Sequence, residues 1–249
     1  MTPFFSIVIP TLNEESNLPQ LMAALTKQTF KNFEVIITDG ESTDKTKSLA
    51  NSFRQDLPAY HFLEKKLKNV SMARNFGAGK AQGIYLIFFD ADVVISADFL
   101  EKIHYYINSK NLDVLTVWNR SKEQSFSGKA ILFLLNVSTT LAQRFLPVAN
   151  GPCMILKKNL FEKIGGFDES IFFGEDFDLM RRANKFGIRF GVFRKPLLYV
   201  STRRFEKEGL FISLYKSIYA IIYQLVVGPI RRPIFTYEMG GQYFKNKSE

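Results

Sequence analysis

The run Ile84-Tyr85-Leu86-Ile87-Phe88-Phe89, followed at once by Asp90-Ala91-Asp92, constrains this chain more than any other feature. An unbroken apolar run leaves no polar face. A strand made of it must be covered on both sides, as in the parallel sheet of an α/β protein. The two carboxylates then fall at the carboxyl end of the strand, where open α/β sheets bind ligands. Two acids separated by one residue offer hard oxygen ligands to one divalent cation such as Mg²⁺ or Mn²⁺. A solvated turn carrying two Asp is the other use of such a pair.

The preceding sequence repeats the pattern. Phe5-Ser6-Ile7-Val8-Ile9 is a short apolar run stopped by Pro10, and helical spacing follows at Leu18, Leu21, Met22 and Leu25. Glu34 to Thr38 is a second strand. Ser42 stands where it can cap a helix over Thr43 to Phe53. Tyr60 to Leu63 reads as a third strand and Ser71 to Gln82 as a small-residue helix. This βαβα order predicts an α/β fold with right-handed crossovers. Thr11 and Asn13 end the first strand, Asp39 the second, and Asp90 and Asp92 the strongest, so three strands deliver polar groups to one sheet edge.

The second half is less regular. Phe126 to Leu146 predicts a helix, apolar from Ala130 to Leu135, whose first reading is a core helix and whose second is an extra apolar contact. Asn150-Gly151-Pro152 is a turn signal. A strand over Cys153 to Leu156 precedes a helix start at Lys157, and Gly165 to Asp168 is a loop. Gly174-Glu175-Asp176-Phe177-Asp178 opens a helix to about Phe186, and Ile188 to Val200 reads as two short strands around Pro196. Acids at a helix start feel the positive end of its dipole, which suits either capping or an ionised general base.

Composition excludes several chemistries. One cysteine, Cys153, rules out a disulfide framework or a cysteine zinc cluster and reads as a small core residue. Two histidines, His61 and His104, offer neither a His-rich metal site nor a Ser/His/Asp triad. Gly77-Ala78-Gly79-Lys80 follows no strand, so it is neither a dinucleotide fingerprint nor a P-loop. The start, Met1 to Pro10, reads as a strand rather than a secretion signal, so a reducing, cytosolic-side location is expected.

Taken in order, these motifs resemble the family 2 glycosyltransferases of the GT-A fold. The matching pieces are Ser6 to Glu15, Asp39 to Asp44, Ala73 to Gly77, Asp90-Ala91-Asp92, Gly165 to Glu169 and Gly174-Glu175-Asp176. The resemblance implies a single α/β domain with a mostly parallel central sheet flanked by helices. It also implies inverting transfer from a nucleotide-diphosphate sugar. On it, Pro10, Thr11, Glu14, Asp39 and Arg74 line the nucleotide pocket. Asp90, Ala91 and Asp92 hold the donor, with Asp90 and Asp92 on a Mg²⁺ or Mn²⁺ ion. Asp176 is the base that deprotonates an acceptor hydroxyl, and Gly151 and Glu175 shape the acceptor side. The family's frequent metal-binding His after the Glu-Asp motif has no counterpart here, and Arg203 or Arg204 could instead meet the diphosphate.

The charge is uneven. The chain has 249 residues, 33 Lys+Arg against 24 Asp+Glu and a net charge of +9. From Arg181 to Lys207 the only acid is Glu206. Next, Leu210 to Ile230 is almost wholly apolar, with Ser213, Lys216, Ser217, Ala220 and Gln224 on one helical side and Phe211, Leu214, Tyr215, Ile218, Ile222 and Leu225 on the other. That pattern favours a helix lying in a membrane interface over a spanning one, with packing on the domain as the other use. The expected division is a catalytic domain over 1–205 and an amphipathic helix and tail over 206–249. The expected partners are a nucleotide-diphosphate sugar, a lipid-linked or cell-envelope glycan acceptor and an anionic membrane surface on the cytoplasmic side, with no nucleic acid. Two rival readings are a sugar nucleotidyltransferase, which needs a Gly-rich basic loop that Thr11 to Ser16 does not supply, and a basic nucleic-acid binder.

Overall fold

The apolar runs become strands with two buried faces. In chain order the strands are β1 (Phe5–Thr11), β2 (Phe33–Asp39), β3 (Tyr60–Glu64), β4 (Tyr85–Phe89), β5 (Val94–Ile95), β6 (Val114–Ser121), β7 (Cys153–Lys157) and β8 (Phe190–Val200). The helices are α1 (Leu18–Thr26), α2 (Thr46–Ser52), α3 (Val70–Ala78), α4 (Phe99–Lys110), α5 (Phe126–Ala142), α6 (Lys158–Lys163), α7 (Glu175–Asn184) and α8 (Leu210–Val226). These come from a computed structural model, which describes residues 2–67, 69–145, 147–149, 151–202 and 210–232.

All the strands belong to one eight-stranded sheet in the order β3-β2-β1-β4-β7-β6-β8-β5. β1 pairs in parallel with β2 and β4, β2 with β3, and β6 with β8. β7 runs antiparallel between β4 and β6, and β5 antiparallel to β8. The α/β expectation with a mostly parallel sheet therefore holds.

Alternate residues along each strand feed opposite faces. Ile7, Ile9, Ile37, Ile87 and Phe89 join Leu21 and Leu25 of α1 and Phe99 and Ile103 of α4 in one core. Val8, Ile36, Leu86 and Phe88 join Ala78 of α3, Phe161 of α6 and Leu179 and Met180 of α7 in the other. Each fully buried aromatic or branched side chain contributes about 1.5–3 kcal/mol over exposure. α3 lies so close to the sheet that a Cβ on Gly77 would stand 2.5 Å from Val8 Cγ1.

Four local readings are corrected. Ser42 caps no helix: α2 begins at Thr46, and Ser42 instead bridges the ends of β1 and β2. Ile188 to Val200 holds one strand rather than two, because β8 stays paired with β6 through a register shift between Val117 and Asn119. The stretch from Val93 to Ser125, with no assignment above, supplies β5, α4 and the whole of the interior strand β6. α5 serves the core on one side only: it buries Ile131 and Leu132 but exposes Phe126, Phe133, Leu134 and Leu141. Cys153 is buried in β7, as a core residue should be, and burial pushes its thiol well up.

Candidate active site

The parallel strands bring their carboxyl ends to one edge, and register sets the neighbours. Thr11, the last residue of β1, pairs with Asp39, the last of β2, and Thr11 Oγ1 donates to Asp39 Oδ2 at 2.8 Å. Asp39 also accepts from the Ser42 N–H and hydroxyl, both at 2.7 Å. Ser42 Oγ in turn accepts from Asn13 N, and Thr46 Oγ1 from Glu14 N. Asn13 and Glu41 both sit at positive φ, 56° and 65°, so this double loop is held in a backbone shape that non-glycine residues seldom adopt. Asp39 is thus a buried organiser of the β1 and β2 loops, with Thr11 buried and Pro10 half-buried beside it.

Arg74 projects from α3, is 2 % exposed, and ties two separate motifs together. One nitrogen donates to Asp90 Oδ1 at 2.8 Å and another to Glu175 Oε1 at 2.7 Å. Its guanidinium lies 5.3 Å from the centre of the Phe167 ring. Its hydrogen bonds therefore join the acid pair after β4 to the acid pair that opens α7, rather than reaching into open space. Asn75, next to Arg74 in α3, is also committed internally. Its amide donates to Phe167 O and Glu169 Oε1, and its oxygen accepts from Phe167 N, all at 2.9 Å. This bolts the Gly165–Glu169 loop to α3. Gly166, at φ +68°, leaves no room for a Cβ, which would stand 2.8 Å from Asn75 Oδ1.

Around this one buried guanidinium sit more carboxylates than it can neutralise. Burial, then repulsion from Asp92 and Asp90 working against a hydrogen bond from Asn17, pushes Glu14 to about 7. Burial and the Asp90 charge raise Asp92 to about 6, with Lys122 pulling the other way. Asp90 rises through burial although Arg74 opposes it. Asp176 is raised to about 7 by burial and by neighbouring Glu175, while the Phe177 N–H and Arg74 oppose the rise. Gly151 backs Asp176 directly, since a Cβ there would come 3.1 Å from Asp176 Oδ2.

The donor set fits a divalent cation. Asp90 and Asp92 supply hard oxygens, and both carboxyls are raised first by burial and, at Asp92, by the neighbouring Asp90 charge, a cost that a bound cation would relieve. Among the described residues no three acids, histidines or cysteines cluster closely enough to hold an ion unaided. Mg²⁺ and Mn²⁺ sites of this kind are completed by water and substrate phosphate.

The structure brings Glu14, Asp90, Ala91, Asp92, Arg74, Glu175, Asp176 and Gly151 to one side of the sheet, through the contacts and fields just described. Arg203 and Arg204 lie outside the described residues. Sequence reasoning missed Lys122 and Glu123. They follow β6, and Glu123 accepts from Ser201, from the Thr202 N–H and from the Thr202 hydroxyl. The signal was present: a polar cluster after an apolar strand, the same punctuation that marked Asp39 and Asp90.

Comparison with known proteins gives the same picture. The model of the family described as "Glycosyl transferase family 2" matches residues 6–165. A PGL/p-HBAD biosynthesis glycosyltransferase of Mycobacterium bovis is 36% identical over 107 residues, covering 42% of this chain and 42% of the relative. Glycosyltransferase GlyG of Streptococcus pneumoniae is 27% identical over 116 residues, covering 46% and 38%. The chain thus spans less than half the length of these curated relatives. Among solved structures, S. aureus TarS in complex with UDP-GlcNAc superimposes with a TM-score of 0.65 at 24% identity, over 80% of this chain and 58% of that one. The mannosyltransferase PcManGT of Pyrobaculum calidifontis, in complex with GDP-Man and Mn²⁺, gives 0.68 at 18% identity, over 88% and 65%. At that identity the superpositions show a shared fold. The family match spans well over half of the chain, from the first strand to the glycine loop that Asn75 holds, and the chain belongs to glycosyl transferase family 2.

Proposed function

We propose that this chain is an inverting glycosyltransferase that moves a sugar from a nucleotide-diphosphate donor to a hydroxyl of a lipid-linked or cell-envelope glycan. The observation that carries the reading is the group of half-buried carboxylates (Glu14, Asp90, Asp92, Asp176) gathered around Arg74, the one fully buried cation among the described residues. Such a site suits an anionic donor arriving with a divalent cation. The printed ligands of structural relatives, UDP-GlcNAc for TarS and GDP-Man with Mn²⁺ for PcManGT, support the donor class.

Asp90 and Asp92 would hold the Mg²⁺ or Mn²⁺ ion. Bound there, the ion offsets the charge that builds on the departing nucleoside diphosphate. The loop built on Thr11, Asp39 and Ser42 shapes the nucleotide side, with Pro10 and Glu14 beside it. Asp176, backed by Gly151, accepts the proton of the acceptor hydroxyl. The freed oxygen forms its bond to the anomeric carbon as the bond from that carbon to the diphosphate oxygen breaks on the opposite face. A base with a pKa near 7 balances availability against proton affinity at neutral pH. Arg74 keeps Glu175 and Asp90 aligned on either side of the transfer.

A place on the cytoplasmic face of a membrane is part of the proposal, with residues 1–205 as the catalytic unit and 206–249 as the membrane-associating part. In α8, Ala220 and Gln224 are buried while Tyr215, Tyr219 and Ile222 are exposed. Among the described residues no helix is long and apolar enough to cross a membrane. An interfacial position accommodates both facts.

The test is a screen of nucleotide sugars with Mn²⁺ or Mg²⁺, reading release of nucleoside diphosphate. One donor should be hydrolysed well above the rest, and chelation should stop it. No release from any donor refutes the reading. Asp176→Asn should cost about a hundredfold or more in transfer to a hydroxyl acceptor. In the native chain the rate should rise with pH through about 7, because the base works only when deprotonated.

A further inference from the structure

α5 carries apolar side chains on its outer side as well as on its inner side, where Ile131 and Leu132 join the core. Its inner side carries Asn136, which accepts from Asn119 N at 3.0 Å and donates to Asn119 O at 2.8 Å, and Thr139, also buried. Its outer side carries Phe126, Phe133, Leu134 and Leu141, with Phe145 just beyond the helix end, exposed by 87%, 57%, 58%, 74% and 86%. At 100° per residue these positions form a single stripe about a third of the way around the helix. Exposed aromatics in a continuous stripe mark a contact surface.

The surroundings identify the contact. From Gln124 to Phe161 the sequence has no acid, but it has Lys129, Arg144, Lys157 and Lys158. Trp118 sits at the margin of the stripe: its ring meets Phe133 edge-on at 6.1 Å and carries the Arg194 guanidinium at 4.6 Å, while its indole N–H donates to Thr140 Oγ1. Arg144 also lines a cleft of ≈ 520 Å³ with Lys110 and Arg189. Asp113 lies 3.6 Å from Arg189 and is already held by Lys157 at 2.7 Å. An apolar stripe bordered by cations and an aromatic with a polar tip matches the depth profile of an anionic bilayer surface, where phosphates sit above acyl chains. A second copy fits poorly, since a two-fold contact along the helix would bring Lys129 of each copy toward Arg144 of the other, like charge against like.

We propose that the outer face of α5, with Trp118, Lys129, Arg144 and Arg194 along its border, docks on an anionic lipid bilayer. The inference deepens the membrane reading above by naming a second surface independent of α8.

The experiment is co-sedimentation of the full chain with vesicles of phosphatidylcholine alone or mixed with phosphatidylglycerol. The native chain should partition onto the mixed vesicles and lose that binding in high salt. Phe126→Ser, Phe133→Ser and Phe145→Ser together should lower partitioning about tenfold or more, since binding follows buried apolar area. Lys129→Glu with Arg144→Glu should do the same. All five positions are exposed, so the urea midpoint should stay unchanged in the charge-reversal variant and fall only slightly in the triple Ser variant, which loses the Phe133–Trp118 edge contact. Nucleotide-sugar hydrolysis in solution should also persist, which separates failure of docking from failure of the donor reading. Tyr215→Ser with Ile222→Ser on α8 is the comparison. Native-like vesicle binding by the triple Ser variant, or its loss only in the α8 variant, overturns the proposal. So does a native chain that is dimeric by light scattering and becomes monomeric in the triple variant.

Discussion

Replacing Arg74 with Ala is the most informative single perturbation of the site. The guanidinium is 3% exposed and bonded to Asp90 at 2.8 Å and Glu175 at 2.7 Å, whose side chains are 37% and 18% exposed. Breaking a fully buried pair costs about 3–5 kcal/mol, because the remaining charge stays buried without a partner. Water already reaches over a third of Asp90, which screens part of that cost, so about 2–3 kcal/mol is expected. With a urea dependence of about 1–3 kcal/mol per molar, the midpoint should fall by about 1 M. The lone tryptophan, Trp118, lies well away in β6 and reports the transition by fluorescence. The loss must also depend on pH. Asp90 and Asp176 are already raised, and without Arg74 both rise further. A carboxyl whose folded pKa exceeds its unfolded value destabilises the fold above that folded pKa, and the effect vanishes below the unfolded one. The gap between native and variant should therefore be widest near pH 8 and shrink toward about pH 4, the unfolded carboxylate range. Arg74→Lys should recover only part, since one ammonium cannot span two carboxylates as a planar fork does. A midpoint shift below about 0.3 M, or one equal at pH 8 and pH 5, would refute Arg74 as the neutralising link.

Two further substitutions probe its surroundings. Gly151→Ala places a methyl 3.1 Å from Asp176 Oδ2 and should lower kcat about tenfold or more by moving the base, with little change in the urea midpoint. Asn75→Ala removes three hydrogen bonds to the Phe167 and Glu169 loop and strands the Phe167 amide, so a loss of about 1–3 kcal/mol is expected in urea unfolding.

Much of this protein follows from one-dimensional pattern. The apolar run before Asp90 had to be a doubly covered strand, which it is over Tyr85–Phe89 with Ile84 left exposed at its start, and the acids after it had to lie at the strand's carboxyl end. Those two statements needed only period and polarity, because burial of a strand is decided by its own side chains. The ordered motifs from Ser6 to Asp176 likewise sufficed for the family. Elements with mixed patterns were harder. β6 alternates apolar residues with Thr116, Trp118 and Asn119, and its partners β7 and β8 come from distant sequence, so no local signal marks it as central.

The site shows the same division. Place in the chain, after an apolar strand for Asp90 and Asp92 and at a helix start for Asp176, together with the family resemblance, marked these three as candidates. That Arg74 joins Asp90, 16 positions away, to Glu175, 101 positions away, is a tertiary fact. So is Asn75's grip on the Phe167 loop, more than ninety positions away. The polarity of α5 is the sharpest case. The apolar run Ala130 to Leu135 says only that the helix meets something apolar. Its direction is settled by Asn136, which turns inward to pair with the Asn119 backbone and leaves Phe133 and Leu134 outside. Composition determines how much apolar surface a chain carries, whereas long-range hydrogen bonds and packing decide which way that surface points.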